Sequence, residues 1–169
     1  MEASGKNNSA LWVLLGALLI AVSAVALYKA WPVLFPKVAM KASLDPACDL
    51  RAGPCITEVD GGGRVSFAIE PREIPMVKPL QLQVSLQGLQ ANSIEVDFAG
   101  VDMHMGFNRF KLTRDASGEF SGKGMLPVCV RDAMEWEAQV LIDSGQGLIS
   151  VPYRFITVRP GVPLPGSDS

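Results

Sequence analysis

The chain has 169 residues, a length that favours a single folded domain. It carries 15 Lys and Arg residues against 17 Asp and Glu residues, so its formal net charge is −2, and it has one histidine. A nucleic-acid-binding surface needs clustered Lys and Arg residues, and the sequence contains no basic run. We therefore expect no nucleic acid partner.

An uncharged apolar segment lies near the N-terminus. Residues 10–28 (ALWVLLGALLIAVSAVALY) would rise about 28 Å as a helix, close to the ~30 Å hydrocarbon core of a bilayer. Trp12 at one end, and Tyr28 and Trp31 at the other, would lie at the two headgroup levels. The segment is longer than the apolar region of a cleavable signal peptide, and no A-x-A site follows it. We therefore predict a retained transmembrane anchor at residues 10–28, behind a tail at residues 1–9.

Two features of the flanking sequence disagree about orientation. Lys29, Lys37 and Lys41 follow the apolar segment, and the positive-inside rule would keep the C-terminal body in the cytoplasm. Cys48 and Cys55 favour an oxidising compartment, and short single-anchor proteins commonly export the C-terminal body. We expect the C-terminal body outside the cytoplasm.

The segment at residues 29–54 is predicted to link the anchor to a folded domain. Pro32, Pro36 and Pro46 interrupt this linker and argue against one long continuous helix. Residues 33–42 have room for a short helical turn or two.

From Cys55 onward, apolar and polar residues alternate as they do in strands. The clearest run is at residues 80–86, and the next is at residues 94–98. Because the turn residues Ala-Asn-Ser lie between them at positions 91–93, these two strands are predicted to form a hairpin.

Further alternating runs complete the pattern, at residues 65–69, 109–113, 119–126, 136–142 and 149–155. Turn residues lie at Gly61–Gly63, Asp115–Gly118 and Asp143–Gly147. About seven antiparallel strands without helical segments between them indicate an all-β domain, an immunoglobulin-like sandwich over residues 55–159. Residues 160–169 are rich in Pro and Gly and are predicted to be a disordered tail.

The three cysteines are Cys48, Cys55 and Cys129. A disulfide between Cys48 and Cys55 would close a loop of about eight residues, which stabilises a fold by about 2.5 kcal/mol in the chain-entropy model. Their spacing differs from the C-x-x-C of redox motifs and from zinc knuckles, so we favour a structural disulfide over a redox or metal-binding dithiol. Cys129 is left as a buried apolar residue, a metal ligand, or the partner of one of the other two.

The sequence DMHMG at residues 102–106 contains the only histidine. Thioethers and imidazole suit Cu(I) in an oxidising compartment, where few free thiols are present. In a strand, Met103 and Met105 would point to the face opposite His104, so all three can bind one ion only in a loop or bulge. The glycines on either side permit such a loop.

Two other interpretations of this segment stay open. A two-thioether site could be completed by Met76, Met125, Met134 or Cys129. Alternatively no metal binds, His104 lies exposed at the rim, and the two thioethers are buried against Phe98 and Phe107.

The sequence contains no evident catalytic arrangement. The single histidine has no accompanying nucleophile motif, and the carboxylates are scattered singly over polar strand faces. The glycines at residues 61–63 precede a strand and indicate a hairpin turn rather than a phosphate-binding loop. We therefore expect a protein that is not an enzyme.

Three segments behind the apolar helix together resemble the YtkA-like/FixH-like family of bacterial membrane-anchored domains. They are GVDMHMG at residues 100–106, GEFSGKGMLP at residues 118–127 and MEWEAQV at residues 134–140. The resemblance covers roughly residues 75–142. The cysteines depart from the family pattern, and this departure makes Cys129 a candidate ligand beside the methionine segment.

The resemblance implies a non-catalytic periplasmic accessory protein of the bacterial inner membrane, which handles copper or assists the assembly of haem–copper oxidases. Its expected cofactor is copper, and its expected partners are the inner membrane and a copper enzyme or its assembly factors. Met103 and Met105 match the family's methionine segment, with His104 between them. The alternative is an immunoglobulin-like structural or interaction module that docks on a membrane protein complex without metal.

Overall fold

The computed structural model describes residues 6–34, 38–103, 106–128, 131–145, 147–159 and 161–162. The chain divides into two compact units, the second of which begins at Val38. The first unit is one α-helix, α1, at Lys6–Leu34. Its segment Ser9–Trp31 is long and apolar enough to cross a membrane, by length and composition.

Helix α1 extends beyond the predicted anchor at both ends and continues past Pro32. This proline lies in the last turn of the helix, where its missing N–H group removes a single main-chain hydrogen bond. One proline so close to the end therefore does not terminate the helix earlier.

The second unit is all-β in the described residues. Its strands are Val38–Lys41 (β1), Cys55–Val59 (β2), Gly63–Glu70 (β3), Leu80–Gln87 (β4), Ser93–Gly100 (β5), Arg109–Arg114 (β6), Phe120–Gly124 (β7), Ala133–Asp143 (β8) and Leu148–Val158 (β9). They form one curled sheet in the order β1-β9-β8-β5-β6-β7-β4-β3-β2. All neighbours are antiparallel except β1 and β9, which are parallel.

The expectation of about seven purely antiparallel strands needs correction, because the described residues form nine strands in a mixed sheet. The two additional strands, β1 and β2, are four and five residues long and lie at the two edges of the sheet. Strands this short show too little alternation to be recognised by pattern. The hairpin turn predicted at Gly61–Gly63 and the turns predicted at Asp115–Gly118 and Asp143–Gly147 agree with the described residues, since each lies between two strands that pair with each other.

The predicted hairpin between β4 and β5 is wrong. Strand β4 pairs with β3 and β7, whereas β5 pairs with β6 and β8. Residues 88–92 therefore carry the chain from one half of the sheet to the other. Leu89, in this connection, packs so closely over Gly63 that a side chain on residue 63 would collide with it. The alternation of apolar residues identified both strands, but it did not show which strands they pair with.

The two halves of the curled sheet pack against each other. The rings of Phe67 on β3 and Tyr153 on β9 lie 5.1 Å apart, and the Tyr153 hydroxyl donates a hydrogen bond to the Val65 carbonyl oxygen at 3.1 Å. Trp136 is completely buried, and its indole N–H donates to the Thr157 hydroxyl oxygen at 2.9 Å. These polar groups are paired, so they enter the core without an unsatisfied donor.

The connections between strands separate into two sets at opposite ends of the sheet. Short turns at residues 60–62, 88–92, 115–119, 144–145 and 147 share one end, which we call the turn end. Segments at residues 71–79, 101–103, 106–108, 125–128 and 131–132 share the other, which we call the loop end. The chain enters this unit at the turn end, where Val38 pairs with Leu148.

Candidate functional site

Met103 lies at the loop end, in the segment that follows β5. Residues 101–103 and 106–108 are outside the strands, so the described part of the methionine segment forms a loop. The Phe98 N–H donates to the Asn108 carbonyl oxygen at 3.0 Å and closes the base of this loop. Met103 itself is half-buried and packs against the core.

The chain folds back tightly over Gly100, the last residue of β5. A Cβ atom on residue 100 would lie 2.7 Å from the Met103 carbonyl oxygen and would also collide with the terminal methyl group of Met134. Only glycine allows this approach, so Gly100 positions the loop that carries Met103. The same contact places the buried Met134 thioether next to the Met103 main chain.

Three other candidate ligands, His104, Met105 and Cys129, lie outside the described residues. Met103 and Gly106 flank the first two and Val128 precedes the third, and contacts between the described parts of these two segments join them. Asp102, next to Met103, forms an ion pair with Arg131 at 3.9 Å, two positions after Cys129.

A second contact joins the same two loops. The Asn108 side-chain amide donates to the Met125 carbonyl oxygen at 3.2 Å. The loop that carries Met103 and the loop that carries Cys129 are therefore neighbours at the loop end.

Methionine is concentrated at this end of the unit. Of the five methionines in the described residues, only Met40 lies at the turn end. The other four are Met76, Met103, Met125 and Met134. The Val77 N–H donates to the Leu126 carbonyl oxygen at 3.0 Å, which ties the loop of Met76 to that of Met125. Thioethers from several loops therefore lie at one end of the fold.

Exposed apolar side chains are concentrated at the same place. In the described part of the β unit, the large exposed apolar residues are Ile56, Val77, Val101, Phe107, Met125 and Val128, and all except Ile56 lie at the loop end. The metal-free interpretation predicted that Phe107 helps to bury the two thioethers. Phe107 is 92% exposed, so this part of that prediction is wrong. This apolar group gives no pattern in the sequence, because its members are single residues in separate loops.

The outer face of the sheet, by contrast, is polar and internally paired. Arg109 and Asp97 form an ion pair at 3.0 Å, and Arg154 and Glu137 form another at 3.1 Å. These pairs join neighbouring strands across the solvated face. The loop end is therefore the part of the described surface where apolar groups gather.

The donor set at the loop end is soft. Over the described residues, no group of three or more His, Cys, Asp or Glu side chains converges on a point that could hold a metal ion. The described thioethers at this end are Met76, Met103, Met125 and Met134. Such a set suits Cu(I) rather than a hard cation.

Cys48 and Cys55 form a disulfide with their Cα atoms 5.6 Å apart. Asp45 and Asp49 shape the loop through hydrogen bonds from the main-chain N–H groups of Ala47 and Arg51, both at 2.9 Å. Cys55 is buried at the start of β2, so the bond fixes this loop to the sheet. Sulfur atoms joined in a disulfide are not thiolate ligands, which leaves Cys129 as the remaining candidate thiol.

Comparison with known proteins returns no match, since neither a family model, nor a curated protein, nor a solved structure is similar to this chain. A functional assignment therefore rests on the arrangement of residues at the loop end.

Proposed function

We propose that the chain is a non-catalytic, membrane-anchored accessory protein that binds Cu(I) at the loop end through Met103, His104, Met105 and Cys129. The observation that supports this proposal is the ion pair between Asp102 and Arg131, which joins the two loops that bear these ligands. The resemblance to the YtkA-like/FixH-like domains suggests copper delivery or the assembly of a haem–copper oxidase as the purpose.

The proposed chemistry is binding and exchange rather than turnover. Thioether sulfur and imidazole nitrogen bind Cu(I) without adding charge, and a Cys129 thiolate would neutralise the ion. A few soft ligands on surface loops allow a partner's ligands to replace them one at a time. Copper would then pass from one protein to the next by ligand exchange.

The proposed location is the periplasmic side of the bacterial inner membrane. The apolar segment Ser9–Trp31 would anchor the chain, and the disulfide between Cys48 and Cys55 supports an oxidising compartment for the β unit. Lys29 and the lysines that follow α1 oppose this orientation on charge alone. We give more weight to the disulfide, because disulfides are rare in reducing compartments.

The β unit would be an immunoglobulin-like sandwich. Supporting this class are the curled sheet and the packing of Phe67 against Tyr153 across its interior. The parallel strand β1 at one edge is an addition to the antiparallel pattern of such sandwiches.

The test is a Cu(I) competition titration of the full chain in a non-ionic detergent, against a chelator of known affinity. We expect the double variant Met103→Leu/Met105→Leu to bind Cu(I) at least tenfold more weakly, because leucine keeps the volume and removes the sulfur. Met40→Leu, at the turn end, is the matched control and should not change the affinity. An unchanged affinity in the double variant would contradict the proposed site.

A second function, docking on a membrane protein complex without metal, is favoured by the exposed apolar group at the loop end. Phe107→Asp should then abolish co-purification with the partner, whereas Ile56→Asp, at an exposed position outside the loop end, should not. Phe107→Asp should leave Cu(I) affinity unchanged, so this experiment separates docking from metal binding. Equal losses in both variants would argue against a docking surface at the loop end.

A further inference from the structure

A groove with two arginines lies at the loop end, where the loop before β2, the loop after β3 and the last residue of β9 meet. It has a volume of about 320 Å³ and is lined by Arg51, Arg72, Glu73, Ile74 and Val158. This volume is at the lower limit for small-molecule sites.

The two arginines hold their loops together reciprocally. The Arg72 guanidinium donates to the Ala52 carbonyl oxygen at 3.0 Å, and the Arg51 guanidinium donates to the Glu73 carbonyl oxygen at 3.4 Å. Each loop therefore supplies one arginine to the other. A guanidinium group has five N–H donors, so most donors of both groups remain for a ligand.

Further bonds within each loop restrain its backbone. The disulfide between Cys48 and Cys55 closes the first loop. In the second, Ile74 is buried in a left-handed conformation with φ of 47°, and its N–H donates to the Pro71 carbonyl oxygen at 3.0 Å. A β-branched residue holds this conformation only where its surroundings impose it. The two guanidinium groups are therefore carried by loops whose backbone conformation is fixed.

The two guanidinium groups of the groove differ in their ion pairing. Arg51 is half-buried and forms no ion pair with a carboxylate of the described residues. The nearest charge effect on it is the electrostatic attraction of Asp49. Burial lowers the pKa of Arg51, and the charge of Asp49 partly opposes that change. Arg72 contacts Glu70 through a single nitrogen at 3.4 Å, in an exposed position. The partly solvated guanidinium of Arg51 is therefore available to bind an anion from solution.

We infer that this groove binds a carboxylate group carried on a short apolar chain, with Arg51 and Arg72 donating to its two oxygens. Guanidinium groups match the planar geometry of a carboxylate, and Val158 supplies an apolar wall for the chain. The Glu73 side chain lines the same groove and would repel a dianion more strongly than a monoanion. The groove should therefore prefer a carboxylate to a phosphate.

The experiment is an NMR titration of the full chain in a non-ionic detergent, following the Nε–H signals of the arginine side chains. Sodium butyrate, inorganic phosphate and sodium chloride are added to parallel samples at matched ionic strength. We expect butyrate to give saturable shifts of the Arg51 and Arg72 signals at millimolar concentration, with weaker binding of phosphate and no saturation with chloride.

Variants then assign the binding to this groove. Arg51→Gln should weaken butyrate binding about tenfold or more, the effect of removing one charge-assisted hydrogen bond. Arg64→Gln removes the same charge from a surface pair with Glu58 and should leave the butyrate midpoint unchanged. Glu73→Gln should strengthen phosphate binding more than butyrate binding.

Three results would overturn the inference: no saturation with butyrate, equal effects of Arg51→Gln and Arg64→Gln, or phosphate binding more tightly than butyrate. If Arg51→Gln does not fold, as judged by near-ultraviolet circular dichroism, Arg72→Gln is used in its place. The copper titration is independent of all these outcomes, because the groove and the candidate copper ligands share no residue.

Discussion

Replacing Tyr153 by Phe removes one hydroxyl group from the centre of the β unit. Tyr153 is only 1% exposed, and its hydroxyl donates to the Val65 carbonyl oxygen at 3.1 Å, which links β9 to β3. The Phe ring keeps the packing against Phe67. At neutral pH the variant should therefore lose about 1 kcal/mol of unfolding free energy, the net contribution of one buried hydrogen bond.

The larger effect of Tyr153→Phe is on the pH dependence of stability. Burial raises the pKa of Tyr153 from 10.0 to about 12, although a hydrogen bond with the Thr57 side chain acts in the opposite direction. The unfolded chain therefore releases this proton at lower pH than the folded chain. The contribution of Tyr153 is fully present below pH 10 and is lost as pH rises toward 12. A pKa difference of about 2 corresponds to roughly 3 kcal/mol.

The assay is guanidinium unfolding of the full chain in a non-ionic detergent at pH values from 8 to 12, followed by near-ultraviolet circular dichroism, to which the buried Trp136 contributes. Lysines also titrate in this range, so the informative quantity is the difference between the wild-type and Tyr153→Phe proteins. We expect this difference to reverse sign between pH 10 and pH 12. Tyr28→Phe, which removes the only other tyrosine, should not change the pH profile. Parallel profiles for wild type and Tyr153→Phe would refute the reasoning.

Three further changes should lower stability in the same assay at neutral pH. Thr157→Val leaves the buried indole N–H of Trp136 without its acceptor and should lower the unfolding free energy by about 1–3 kcal/mol. A loss below about 0.5 kcal/mol would mean that water replaces the hydroxyl group. Gly124→Ala places a Cβ atom 3.0 Å from a Leu82 methyl group and should cost about 1–3 kcal/mol, whereas the open position Gly53→Ala should be neutral within about 0.5. Reduction of the disulfide should cost about 2.5 kcal/mol, and no change would show that the loop is ordered without it.

The strands that could be predicted are those with enough residues to show a period. In β4 and β5, alternate side chains are buried along most of the strand, so the alternation of apolar residues identified both. The edge strand β1, at Val38–Lys41, has only four residues and was assigned to the linker. The pairing of β4 with β7 joins Leu80 to Gly124, and local sequence carries little information about contacts between residues so far apart.

The candidate site was predictable where one segment carried the signal. The Met and His residues at positions 103–105 stood out by composition, and the glycines on either side permitted the loop in which the structure places residue 103. The proximity of the Met103 loop to the segment at residues 125–132 depends on contacts such as that between Asp102 and Arg131, which are far apart in sequence. The groove of Arg51 and Arg72 had no sequence signal, because it arises from two loops that meet only in the folded chain.

The coordination of copper by the full chain tests the central claim most directly. The measurement is X-ray absorption spectroscopy of the Cu(I)-loaded protein in a non-ionic detergent, with the Met103→Leu/Met105→Leu variant prepared in parallel. We expect one Cu(I) per chain in a shell of mostly sulfur with one nitrogen, and a loss of sulfur scattering in the variant. A shell of oxygen and nitrogen only, or the same sulfur shell in the variant, would contradict it.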